Sequence, residues 1–174
     1  MDAEPHDKTA IAAEYRRACA DLEDYLSRAS DAGLRGNSRG TGWSNEELLF
    51  HMVFGFMIVR ALLPLVRLFG SLPASWNRGF ARLLNAATRP FDAVNYLGSK
   101  AAAKVFNRRR MAARMRRTTA VLAAKLAAEP ERALARDMDF PTRWDPFFKS
   151  RMTLADVYAY PVLHFDFHAR QLDL

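Results

Sequence analysis

Cysteine is almost absent from this sequence: among 174 residues only Cys19 carries a thiol, so no intramolecular disulfide can hold the chain together. Regular alternation of apolar and polar residues is equally hard to find, which argues against a sheet protein. An uncharged apolar stretch of about 20 residues is missing too, because His51, Arg60, Pro64 and Arg67 interrupt the most hydrophobic region, and no membrane span is expected. The opening residues MDAEPHDKTA have neither the basic start nor the apolar run of a secretion signal, so a cytoplasmic protein is expected. Acidic residues are absent between Lys100 and Arg117, where Lys100, Lys104, Arg108, Arg109, Arg110, Arg114, Arg116 and Arg117 crowd together.

What is present is helix-forming. Half the residues are hydrophobic, and the long stretches rich in Ala, Leu, Met and Arg lose little side-chain freedom in a helix. The length suits a single all-α domain over 1–174, with residues 1–7 expected to be disordered. A first helix is predicted from Lys8 to Ala32, with Ile11, Tyr15, Ala18, Leu22 and Tyr25 on one face, ended by Gly33. The glycine-rich stretch 33–42 reads as a loop. Ser44 and Glu47 then form a capping box before LLFHMVFGFMIVRALLPLVRLF, a second helix buried on most sides, with Trp43 placed to staple its start. Residues 70–99 hold Gly70, Pro73, Gly79, Pro90 and Gly98 and read as a long connection with a short helix around Trp76 to Ala87.

A third long helix follows to Ala128, with Val105, Ala112, Met115, Thr119, Leu122 and Leu126 facing the core. The aromatic segment 130–152, with Phe140, Trp144, Phe147 and Phe148, must pack over something and is predicted to wall one end. Thr153 and Asp156 start a fourth helix running to the C-terminus and kinked at Pro161.

Only four histidines occur, and His6 sits near the N-terminus as a solvated bystander. His164 and His168 are four apart, which stacks both imidazoles on one helical face, the arrangement that lets two rings share a cation. His51 lies within the apolar second helix. Three neutral imidazoles leave coordination positions open, as catalytic metal sites do, and imidazole ligation suits Zn, Ni or Fe alike. The competing reading is a hydrogen-bonded polar cluster in a helical core. Asp166 lies opposite the histidines as a surface or inter-helix contact, Gln171 is placed to support His168, and Cys19 is a buried bystander.

Two stretches, GTGWSNEELLFHM and MTLADVYAYPVLHFDFHARQL with its terminal HxxxHxxQ, resemble the DinB-like superfamily of four-helix bundles. That superfamily includes bacillithiol and mycothiol S-transferases and the metal-binding part of mycothiol-dependent maleylpyruvate isomerase. The resemblance implies a four-helix bundle with a long connection between helices 2 and 3, and one divalent ion held by His51, His164 and His168. It also implies that the ion binds a low-molecular-weight thiol such as mycothiol and presents the thiolate to an electrophile, in S-transfer or thiol-assisted isomerisation. Such thiols and many of their acceptors are anionic, so Arg108, on the apolar seam of the third helix, is a candidate for orienting substrate.

Two other classes compete with the metal-dependent transferase. One is a non-catalytic metal-binding or small-ligand-binding bundle. The other is a helical module whose basic and apolar faces bind a membrane surface or a protein partner, including a homodimer through the apolar second helix. Nucleic-acid binding fits less well, because no aromatic interleaving or reading motif accompanies the basic run, which reads as a solvated helix face.

Overall fold

The computed structural model describes residues 7–174. Of the segment 1–7 expected to be disordered, residues 1–6 and with them His6 lie outside the described residues, and Asp7 caps the first helix by accepting from the Thr9 amide. Most of the described chain is helical: α1 (Lys8–Arg28), α2 (Asp31–Arg35), α3 (Asn45–Gly70), α4 (Ala74–Ala86), α5 (Thr88–Val105), α6 (Arg108–Ala128), α7 (Glu131–Leu134) and α8 (Leu154–Ala169). The only sheet among the described residues is an antiparallel pair, β1 (Asp137–Asp139) with β2 (Arg151–Thr153), in which Met138 faces Met152.

Local signals explain most boundaries. The Ser44–Glu47 capping box opens α3, and a second one, Thr153–Asp156, opens α8. Three expectations need correction. The first helix does not reach Ala32: Ala29 turns extended and Ser30 accepts from the Gly33 amide, capping α2, so Gly33 lies inside a helix rather than ending one. The helix expected to run through Lys100 to Ala128 is broken at Phe106 and Asn107, where Asn107 accepts from the Arg109 amide and starts α6 afresh. Val105, read as a core residue, is consequently exposed, while Phe106 stacks on Phe50 at 5.7 Å. Finally, the connection 70–99 is more helical than expected, since α4 and most of α5 fill it.

The core forms where α1, α3, α6 and α8 meet. Helix α3 is central and packs against α8, α6 and α5, while α1 closes the far side against α6 and α8. Tyr15 and Leu22 of α1, Leu48, Met52 and Phe56 of α3, Met111 and Met115 of α6, and Tyr158 and Phe165 of α8 are fully buried. Their spacing of four and seven residues aims one face of each helix inward. By length and composition α3 could cross a membrane, yet half of its apolar window is buried inside the protein.

Two prolines sit inside helices without ending them, Pro64 in α3 and Pro161 in α8. Each deletes a donor from the ladder. One turn before Pro161's neighbour Val162, the Tyr15 hydroxyl donates to the Tyr158 carbonyl at 2.5 Å, joining α1 to α8.

A buried amide ties α2 and the C-terminal segment to α3. Asn45, with no exposed surface, donates through Nδ2 to the carbonyls of Gly33 and Asp173 at 2.9 Å each, and its Oδ1 accepts from the Asp173 amide at 3.0 Å. Replacing it by Ala strands these buried backbone groups. Asn45→Ala is expected to lower stability by about 2–4 kcal/mol, read as a lower urea midpoint at unchanged denaturant slope; a midpoint equal to wild type would show that the tie carries no stability.

Candidate metal centre

The histidines come together because α3 and α8 approach closely. His51 and His164 are buried and His168 is half-buried, and one ring nitrogen from each lies within 4.8 Å of the others. The tightest contact joins Nε2 of His51 to Nε2 of His164 at 3.1 Å. Two imidazole nitrogens at that separation repel if both present lone pairs, so either a proton or a cation must sit between them.

The remaining ring nitrogens indicate how the rings are held. Nδ1 of His168 lies 2.6 Å from Oε1 of Gln171, an oxygen that can only accept, so Nδ1 carries the proton and Nε2 is left with its lone pair. Nδ1 of His51 lies 3.2 Å from the hydroxyl of Ser99 on α5, a group that can accept the Nδ1 proton. Both rings are therefore oriented by a partner on the nitrogen away from the cluster, as metal-binding imidazoles commonly are. His164 differs, since its buried Nδ1 has no hydrogen-bond partner among the described residues.

Gly55 explains why His164 fits. A Cβ at Gly55 would lie 2.8 Å from Nδ1 of His164, closer than real contacts allow, so only glycine lets α3 meet this ring. Trp43, just before the α3 cap, covers the other side, with its ring centroid 4.4 Å from that of His51 and 5.7 Å from that of Tyr96.

Burial keeps the rings neutral. Desolvation, reinforced by the neighbouring His168, pushes His51 down to about 3. Desolvation and the two other imidazoles depress His164 well below the ordinary histidine value. His168 is lowered by burial, against which its bond to Gln171 and the nearby Asp145 carboxylate pull upward. Neutral imidazoles are the form that binds metal. A cation held at about 2.0–2.1 Å from three nitrogens sets them roughly 3.4 Å apart, close to the His51–His164 spacing, so the donor set fits one divalent ion once His168 closes in.

The cluster forms one wall of a cavity of about 250 Å³. Helix α3 contributes Phe54, Ile58, Val59 and Leu62, α8 contributes Tyr160 and Phe167, and the aromatic segment supplies Phe140, Trp144, Phe147 and Phe148 as the wall expected of it. Polar groups are few: among the described residues the lining holds, besides the histidines, Asn95, Asp145 and Tyr160, and no lysine or arginine. Asp145 accepts from the Tyr160 hydroxyl at 2.7 Å and from the Phe147 amide at 2.9 Å. Burial raises its carboxyl above the usual range, partly offset by those two hydrogen bonds and by His168.

The other sequence candidates lie elsewhere. Arg108, the candidate for orienting substrate, instead pairs with Asp31 at 3.2 Å, and its amide donates to Glu46 at 3.1 Å, so it faces α2 and does not line the cavity. Asp166 holds Arg17 of α1 in a two-pronged contact at 2.9 and 3.0 Å. Cys19 is half-buried with Sγ 3.2 Å from the Thr119 hydroxyl, and burial raises its thiol. Four contributors escaped the sequence reading: Gly55, Ser99, Asp145 and Tyr160. Only Gly55 left a trace there, as a glycine in an apolar helix.

Gly55→Ala is expected to displace the His164 ring and to weaken Zn(II) binding by about tenfold or more, read by competition against a chromophoric chelator; unchanged affinity would mean that the close approach is not needed. A second expectation concerns pH. Because the folded-state values of all three imidazoles lie below the unfolded value of about 6.5, the unfolded chain takes up protons that the folded chain refuses. Stability of metal-free protein is then fully present above about pH 6.5 and falls as the pH drops toward the folded values. Urea midpoints of chelator-treated protein should decline from pH 7 downward, and a flat profile between pH 7 and 5 would contradict the neutral cluster.

The chain matches no protein-family profile, and neither a curated protein nor a solved structure shows detectable similarity to it, so the chemistry of the centre rests on its own residues.

Proposed function

We propose that this chain is a four-helix bundle of DinB-like type, formed by α1, α3, α6 and α8 with α4 and α5 in the long connection, that holds one divalent ion and uses it on a small molecule. The observation that carries the reading is the convergence of three neutral imidazoles, two of them 3.1 Å apart nitrogen to nitrogen, at the wall of an apolar cavity. Zn, Ni or Fe each suit such a donor set. When bound, the ion supplies an open coordination position at which a thiol or water loses its proton near neutral pH.

The protein's own residues do the rest. Gln171 fixes the tautomer of His168 so that Nε2 keeps its lone pair, and Ser99 can accept the Nδ1 proton of His51 so that Nε2 of that ring can do the same. Asp145, held by Tyr160 and the Phe147 amide beside His168, is placed to take up a proton released there. Aromatic walls exclude water, which lengthens the life of a reactive thiolate and strengthens every charge interaction inside. The reaction these parts suit is transfer of a low-molecular-weight thiol to an electrophile, or thiol-assisted isomerisation, in the cytoplasm. With no lysine or arginine lining the cavity, the electrophile that fits it is apolar and uncharged.

The test begins with elemental analysis of tag-free protein. Near-stoichiometric Zn, Ni or Fe in wild type, lost in His164→Ala, is the expected result, and no metal in either after reconstitution with all three would sink the site. Metal-loaded protein should then consume mycothiol or cysteine in the presence of an apolar electrophile, with activity lost in His51→Ala; tight metal without thiol-dependent turnover would leave a binding protein in place of a transferase.

A further inference from the structure

Charge is strongly segregated along the chain. Between residues 48 and 128 lie fourteen lysines and arginines and a single acidic residue, Asp92, although the whole protein carries a formal charge of only +7. This acid-poor stretch contains α4 and α5, which lie outside the α1, α3, α6 and α8 core.

Helix α4 is fixed on the domain by one side. Phe80 stacks on Phe69 with centroids 3.9 Å apart, Asn77 and Ala81 are buried, and the indole of Trp144 donates to the Leu84 carbonyl at 2.7 Å. That anchoring determines what faces outward. Trp76 and Leu83, two turns apart on one stripe, are 69% and 65% exposed. Arg78 and Arg82 form a second exposed stripe, with the small residues Ser75, Gly79 and Ala86 between the two. Arg89 follows α4 in the chain and is exposed too. Among the described residues no carboxylate pairs with Arg78, Arg82 or Arg89.

Exposed Trp and Leu beside unpaired arginines, on a helix already anchored by its other side, are the features of an element that lies on an anionic lipid surface. The rings and leucines enter the acyl boundary while the guanidinium groups sit at headgroup level. A second copy of the chain is a poorer occupant, because symmetric pairing through this face would bring like charges together. A nucleic acid would neutralise the arginines and stack a base on Trp76, yet leave Leu83 without apolar burial.

We propose that the exposed face of α4 is a docking surface for an anionic lipid bilayer.

The experiment is co-sedimentation of the full chain with vesicles of phosphatidylcholine alone or of equal parts phosphatidylcholine and phosphatidylglycerol. Expected are pelleting with the anionic vesicles only, steep weakening with added NaCl, and a loss of partitioning of about tenfold or more in Trp76→Ser/Leu83→Ser and in Arg78→Gln/Arg82→Gln. Circular dichroism of each variant should match wild type, because these side chains are exposed. Absence of pelleting with anionic vesicles, equal binding to neutral ones, or wild-type binding by both double variants overturns the proposal. Heparin binding without vesicle binding reassigns the face to a polyanion, and a dimer in sedimentation velocity that Trp76→Ser/Leu83→Ser dissociates reassigns it to a second copy; either result overturns it.

Discussion

The contact between α3 and α8 at Gly55 and His164 is the constraint on which the centre depends. Only a residue without a Cβ lets the two helices close far enough to bring Nε2 of His164 to 3.1 Å from Nε2 of His51. His168, one turn further along α8, then shares the same face. Everything around the pair follows from that approach: Trp43 can cover His51 because the α3 cap lies two turns before it, and Ser99 can reach its other nitrogen because α5 packs on α3. A second polar tie secures the same two helices farther along α3. There Glu129 receives Arg67 of α3 through Nε at 2.8 Å and the Tyr158 hydroxyl of α8 at 2.9 Å. Helix register between α3 and α8 is therefore held at both places, which is what a site built from rings on separate helices demands.

How far the sequence could be read depends on the range of the interaction concerned. The capping boxes at Ser44 and Thr153 are complete within four residues, and both stand as expected. The i, i+4 relation of His164 and His168 is likewise local. Ser99, Asp145 and Tyr160 join the site only through tertiary packing, and no spacing near them announces it. The strands β1 and β2 are three residues each, too short for alternation to register.

Arg108 shows how one boundary error propagates. Its placement on an apolar seam assumed an unbroken helix through Val105 and Ala112. Asn107 breaks that helix by capping α6, which restarts the helical phase, and Arg108 becomes the first residue of a new helix turned toward Asp31. The cap was present in the sequence, but Asn at the end of an Ala- and Lys-rich run is easily read as part of it, since Asn is also tolerated within helices.

The distribution of charge bears on what the cavity can accept. Most of the cationic side chains between residues 48 and 128 lie on outward helix faces, while the cavity wall holds histidines kept neutral by burial and one carboxylate, Asp145. An anionic ligand entering that space would lose its hydration with no lysine or arginine there to replace it, apart from any bound ion, a cost of several kcal/mol for an unpaired charge. An uncharged apolar ligand loses nothing comparable and gains burial against Phe54, Phe147 and Phe167. Charge outside and neutrality inside are thus separate features of one chain: the cationic side chains face away from the cavity, and the cavity governs what may approach the histidines.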